Sequence, residues 1–227
     1  MIAWDKTDII HFLADLNGYS SYLEICTSMT GGLYRKIDRA RFKRCHRLMY
    51  RCPGSYDDGM DVNFRSPDMS TKELFETIHA LGFRYDIALV DPFHTYDVSY
   101  RDLVDALGII ADCGTVVVHD CLPHREDLIA SDWTPGAWCG VTFMAFIDFV
   151  NDHPELSYVT VDTDYGCGVF RRGGARPIVL SETLNGWEAT RRDVKAAYRF
   201  MWENRGPLLN AMSVEAFKTE AARTRRD

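Results

Sequence analysis

No apolar run in the 227-residue chain reaches a dozen positions, and a bilayer-spanning helix needs roughly 20. The opening MIAWDKTDIIHFLADL carries acids inside its apolar pattern, so neither a spanning helix nor a signal peptide is expected. A cytoplasmic protein with no membrane partner follows as the expectation. The cysteines number seven, odd and scattered, which favours free thiols over a disulfide framework. Cys45, His46 and Cys52 lack the second Cys/His pair of a structural zinc site. No G-x-G-x-x-G follows a strand, which disfavours a dinucleotide reductase. Internal repeats and low-complexity tracts are absent. Positive charge is also outnumbered: the net charge of −7 argues against a nucleic-acid partner. Eight Lys/Arg nevertheless fall within residues 35–51 (Arg35, Lys36, Arg39, Arg41, Lys43, Arg44, Arg47 and Arg51). They read as a solvated basic face or as a contact for a phosphate-bearing ligand.

What is present is enough for one sizeable core, with 46% hydrophobic residues. YDIALVD (85–91) and GTVVVHD (114–120) are short unbroken apolar runs closed by aspartate, the pattern of parallel strands covered on both faces. Between them Val98, Leu103, Val104, Leu107, Ile110 and Ala111 recur at helical spacing, with Gly114 as a stop. One βαβ unit results. Its parallel strands bring Asp91 and Asp120, 29 positions apart, to the same sheet edge, where open α/β sheets bind ligands.

Around this unit, residues 5–17 form an amphipathic helix ending at Asn17-Gly18, expected to lie as a flap over the sheet edge. YLEICTSMTGG (22–32) runs from a strand into a small-residue turn before a helical LYRKI, an arrangement that exposes backbone N–H groups to a ligand. A second strand falls around Phe42–Tyr50, followed by turn-rich sequence. Ser70 and Glu73 have capping-box spacing before a helix with Leu74, Phe75, Ile78 and Leu81, ending at Gly82. Residues 124–140 are a long loop with Trp133 and Trp138 about Pro135-Gly136, suited to a lid or substrate wall. A buried helix (141–152), an antiparallel hairpin about Asp164-Tyr165-Gly166, a helix over 188–204 and a final helix over 213–224 complete the chain.

Five pieces in order, YLEICTSMTGG (22–32), YDIALVDPFHTYDVSYRDL (85–103), GTVVVHDCLP (114–123), WCGVTFMAF (138–146) and VDTDYGCGVF (161–170), resemble the class I S-adenosylmethionine-dependent methyltransferases. The branch is the one with an aspartate-x-x-histidine-x-tyrosine signature after the fourth strand. The resemblance implies an α/β, Rossmann-like, doubly wound sheet of seven mainly parallel strands, the last antiparallel, with helices on both faces. It divides the chain into a methyltransferase domain (1–175) and a helical extension packed on it (176–227). The activity implied is O-methylation of a small-molecule, sugar or secondary-metabolite hydroxyl by S-adenosylmethionine. The cofactor would be held by Glu24, Ile25, Cys26, Thr27 and Ser28 in the first motif, by Met69 and Ser70 beside the adenine, and by Asp91. Two departures stand out. Cys26 replaces the glycine usual after Glu-Ile, and alignment places His46 where the second strand normally ends in a ribose-binding acid.

Two carboxylates meeting at one edge repel unless a cation lies between them or one is protonated. Asp91, His119 and Asp120 are therefore candidate ligands of a divalent metal, Mg or Mn, and related metal-dependent enzymes place acids at these strand ends. The competing reading leaves Asp91 to the cofactor and Asp120 to cap a turn. His94, three residues past the strand, suits a general base, with Asp120 as a further catalytic residue. Tyr96 and Trp138 are the substrate-contact candidates. Size alone raises the expectation of a homodimer through the terminal helices.

Overall fold

Valine- and isoleucine-rich runs form the interior of one sheet in the computed structural model, which describes residues 4–27 and 31–224. The chain runs α1 (Lys6–Asn17), β1 (Ser21–Thr27), β2 (Arg44–Tyr50), β3 (Phe64–Arg65), α2 (Lys72–Ala80), β4 (Tyr85–Asp91), α3 (Tyr96–Ile109), β5 (Ile110–Val118), α4 (Thr142–Asp152), β6 (Leu156–Val161), β7 (Cys167–Arg172), α5 (Ser181–Thr190), α6 (Val194–Glu203), α7 (Arg205–Leu209), β8 (Ala211–Met212) and α8 (Val214–Arg223). Strand order is β3-β2-β1-β4-β5-β7-β6-β8. Every adjacent pair is parallel except the two involving β7. The doubly wound reading holds, with an eighth strand added: Ala211 and Met212 extend the sheet beyond β6. Two residues are too few to leave a period in the sequence.

The central strands are buried on both sides, which is why they read as continuous apolar runs. One face packs Phe75 and Ile78 of α2, Leu103 and Leu107 of α3, α4, and Trp187, Ala197 and Leu208 from the C-terminal helices. The other packs Ile9, Ile10 and Leu13 of α1 with Phe217 of α8. Helix α4 is apolar all round because it is enclosed all round. Its Phe143 meets Trp187 and Tyr198 at ring-centroid distances of 6.5 and 6.3 Å. No described helix is long and apolar enough to cross a membrane.

Several local expectations change. Ile110 and Ala111 open β5 rather than closing α3. Gly114 therefore lies inside a strand, where an added Cβ would come within 2.8 Å of the Asp86 carbonyl oxygen. Its smallness serves strand approach, not a helix stop. Val104 is 42% exposed, while Asp102, two residues earlier, is buried and accepts the Tyr50 hydroxyl at 2.5 Å. The Ser70–Glu73 box does not form: Thr71 is the N-cap, and the Ser70 N–H donates to Asp68. The helix over 188–204 is split, with Asp193 capping α6 through the Ala196 N–H.

Candidate active site at the strand edge

The order of strands reverses between β1 and β4, each side of β1 taking a different neighbour, so a crevice opens at their carboxyl ends. Val90 pairs with Val118, and the His119 N–H donates to the Val90 carbonyl at 3.0 Å. Asp91 and Asp120 consequently leave the same edge, both 2% exposed. Asp120 has φ 61°, a left-handed conformation that aspartate tolerates better than most residues.

His94 is fixed by the loop that follows β5. Its Nδ1 donates to the Trp138 carbonyl at 2.6 Å, and a carbonyl can only accept. That sets the tautomer and turns Nε2 toward the carboxylates, 3.1 Å from Asp120 and 3.4 Å from Asp91. The Val141 N–H donates to the His94 carbonyl at 2.8 Å. Gly140, at φ 57°, makes this closure feasible, because a Cβ there would fall 2.0 Å from the His94 carbonyl oxygen. Trp138 is held in turn by its indole N–H on the Ala130 carbonyl at 2.7 Å.

Three further charged groups complete the cluster. The β6–β7 turn is clamped to the segment after β5 by Cys121 N–H to Gly166 O and Leu122 N–H to Tyr165 O, both 2.9 Å. Asp164 in that turn faces His119 Nε2 at 3.4 Å, while His119 Nδ1 lies 3.0 Å from Asp120 and 3.6 Å from Asp91. Neither ring nitrogen of His119 meets an acceptor at hydrogen-bond geometry, so Coulomb attraction dominates the hold. Lys6, at the start of α1, brings its ammonium 3.7 Å from Asp91 and 3.4 Å from Asp164.

The charges act on one another strongly. Burial pushes the Asp91 pKa up, but Lys6 and His119 outweigh it and hold the carboxyl well below its ordinary range. Burial likewise pulls His94 down, yet its bond to Asp91 and the charge of Asp120 leave it raised. His119 is raised well above the usual histidine value, against its burial, by Asp120 and Asp91. Lys6 is also raised, Asp91 and Asp164 offsetting desolvation. Among the described residues Lys6, Asp91, His94, His119 and Asp120 line a cleft of about 230 Å³ with Trp138.

The cluster thus joins the expected Asp91, His94, His119, Asp120 and Trp138, and adds Lys6 and Asp164. Periodicity gave no sign of Lys6. Its position did: a lysine in the first turn opposes the helix dipole, which asks for a compensating anion. Asp164 marked a turn, and only the fold sets that turn against β5.

Other candidates lie elsewhere. His46 is not at the end of β2 but near its start, paired with Leu23, and its Nδ1 lies 2.8 Å from the Tyr85 hydroxyl. The end of β2 lies four residues beyond His46: Tyr50 ends the strand and Arg51 follows, so no acid stands there. Tyr96 turns from the cleft, its hydroxyl donating to Asp148 at 2.6 Å. Glu24 is fully buried, 3.7 Å from Arg47 Nε, and accepts from Tyr22 and Cys26. Ile25 packs in the core and Cys26 against Met49 and Cys52. Thr27 ends β1, buried at the crevice; Ser28 lies outside the described residues. Met69 packs on the core with its carbonyl bound by Arg101, and Ser70 is exposed.

A donor atom from each of Asp91, His94 and Asp120 lies within 4.8 Å of the others. Hard oxygens with one imidazole suit a divalent ion. His94 takes the place expected for His119 in this set, while His119 Nδ1 lies at similar range, 3.0 Å from Asp120 and 3.6 Å from Asp91.

No protein-family model and no curated protein matches the sequence. Solved structures do match the fold. TomG, an O-methyltransferase from Streptomyces achromogenes involved in tomaymycin synthesis and solved with SAM, aligns at TM-score 0.51 and 16% identity over 74% of this chain and 80% of its own. A putative caffeoyl-CoA O-methyltransferase from Staphylococcus aureus aligns at 0.53 and 15% over 76% and 85%. An O-methyltransferase from Bacillus cereus solved with SAH aligns at 0.53 and 11% over 74% and 80%. The chain has the fold on which these O-methyltransferases are built.

Proposed function

We propose that the chain is an S-adenosylmethionine-dependent O-methyltransferase acting on a small-molecule hydroxyl. The observation that carries the reading is His94: its Nδ1 is anchored on Trp138 and its Nε2 aimed into an acidic cleft at the switch point. When bound, S-adenosylmethionine would supply an activated methyl group as a sulfonium. The chain's task is then positioning, which can supply about 7–11 kcal/mol, and acceptance of the hydroxyl proton at Nε2 by the neutral form of the His94 ring. The Asp91 and Asp120 carboxylates favour a cationic ligand end, so the residues fit the methionine half of the cofactor. Thr27 at the end of β1 would help to hold that half. Trp138 would wall the acceptor and exclude water.

The donor set also fits a divalent ion, which would lower the acceptor hydroxyl's pKa and fix its oxygen. Nε2 has one lone pair and cannot both ligate and take a proton, so this reading leaves an ion to Asp91 and Asp120 and Nε2 to the acceptor. A second reading, the same fold with altered cofactor use, is favoured by Tyr50 and Arg51 standing where a ribose-binding acid is expected. Calorimetry with S-adenosylmethionine decides between them. Heat of binding, together with transfer of labelled methyl to a panel of small alcohols and phenols, is expected; no heat at millimolar cofactor would refute the proposal.

A further inference from the structure

Lys6 does not belong to the expected machinery, yet it is 6% exposed and reaches two carboxylates of the cleft. The entry of α1 is built to hold it there. Asp5 caps the helix through the Thr7 and Asp8 N–H groups in a capping box, the Lys6 N–H donates to Asp164 at 3.2 Å, and the Thr163 hydroxyl donates to the Trp4 carbonyl. Lysine at the first helical position lies at the positive end of the helix dipole, an unfavourable place for a cation without nearby anions. Three carboxylates, Asp91, Asp120 and Asp164, face three nitrogen bases, Lys6, His94 and His119, so the cluster can reach neutrality from its own side chains.

We infer that Lys6 is the resident counter-cation of the strand-edge cleft and that it sets how weakly the cleft takes a divalent ion. The ammonium stands within 4 Å of a carboxylate that such an ion would need, and like charges at this range repel even at the high effective dielectric of a partly wetted site. Lys6 is a positioning residue: it holds Asp91 and tethers α1 across the edge. The inference deepens the proposed function by treating the same cleft as the reaction centre, but its test needs no turnover.

The experiment measures Mn²⁺ binding to the full chain by electron paramagnetic resonance and calorimetry at one pH, for wild type, Lys6→Met and Lys6→Arg. Lys6→Met is expected to bind Mn²⁺ at least ten times more tightly than wild type, and Lys6→Arg within about threefold of it. Lys6→Gln, read by the rise in Tm that Mn²⁺ produces, serves if the methionine variant does not fold, and its rise should exceed that of wild type. Equal or weaker Mn²⁺ binding in the neutral variants, or no binding in any, overturns the inference. Failure of methyl transfer alone would refute the proposed function and leave the Mn²⁺ ranking standing.

Discussion

Glu24 provides a quantitative test of the electrostatics beneath the cleft. Its carboxyl is fully buried in β1, 3.7 Å from Arg47 Nε, with Tyr22 and Cys26 donating to it. Desolvation outweighs the Arg47 charge and raises its pKa from 4.5 to about 7. A folded pKa above the unfolded one means that the native state binds the proton more tightly between those values. Stability from this group is therefore full below pH 4.5 and lost as pH rises to 7. At about 1.4 kcal/mol per pH unit, the gap corresponds to about 3 kcal/mol, of which about 2 kcal/mol disappears between pH 5 and 7.5. Glu24→Gln keeps the shape and removes the titration. Urea unfolding of both proteins at pH 5, 6, 7 and 7.5, at one ionic strength, should show the wild type losing about 2 kcal/mol more than the variant across the range. Other groups, including Asp102 with its pKa near 6, titrate in both chains and cancel. Parallel stability curves would refute the reasoning.

Three other outcomes can be measured. His94→Ala should lower methyl transfer by about 10²–10⁴-fold while calorimetric affinity for S-adenosylmethionine stays within about threefold; unchanged turnover would remove the base. Gly140→Ala places a Cβ against the His94 carbonyl at a left-handed backbone position, so unfolding should show a loss of about 1–3 kcal/mol from the backbone alone, with turnover falling in the folded fraction. Trp187→Ala leaves a void beside Phe143 and deprives Asp148 of its indole donor at 2.7 Å. Denaturant unfolding should register a loss of about 3–5 kcal/mol.

The parts of the site legible in sequence are those set by strand polarity. Two apolar runs ending in aspartate imply a shared edge, and His94 three residues beyond Asp91 must lie near it. Lys6 and Asp164 are brought in by the docking of α1 and the β6–β7 turn, contacts between residues from 45 to 158 positions apart that no local period encodes. His46 lies near the start of β2, four residues before Tyr50 ends it, and a displacement of that size moves a residue from one end of a strand to the other. Tyr96 lies away from the cleft for a different reason. It opens α3, and the helix turn points its ring to α4 and away from the crevice that His94 faces.

Strand β8 carries a consequence for solubility. Without it, Thr160 and Val161 would present bare ladder groups along the rim of the hairpin, where Ala211 and Met212 now dock and the Asp162 N–H donates to the Met212 carbonyl at 2.8 Å. An uncovered rim of this kind templates pairing with another chain. The C-terminal segment thus works as a selvedge: cutting it before residue 211 would fray the sheet into a surface prone to self-association, whatever the state of the distant chemistry.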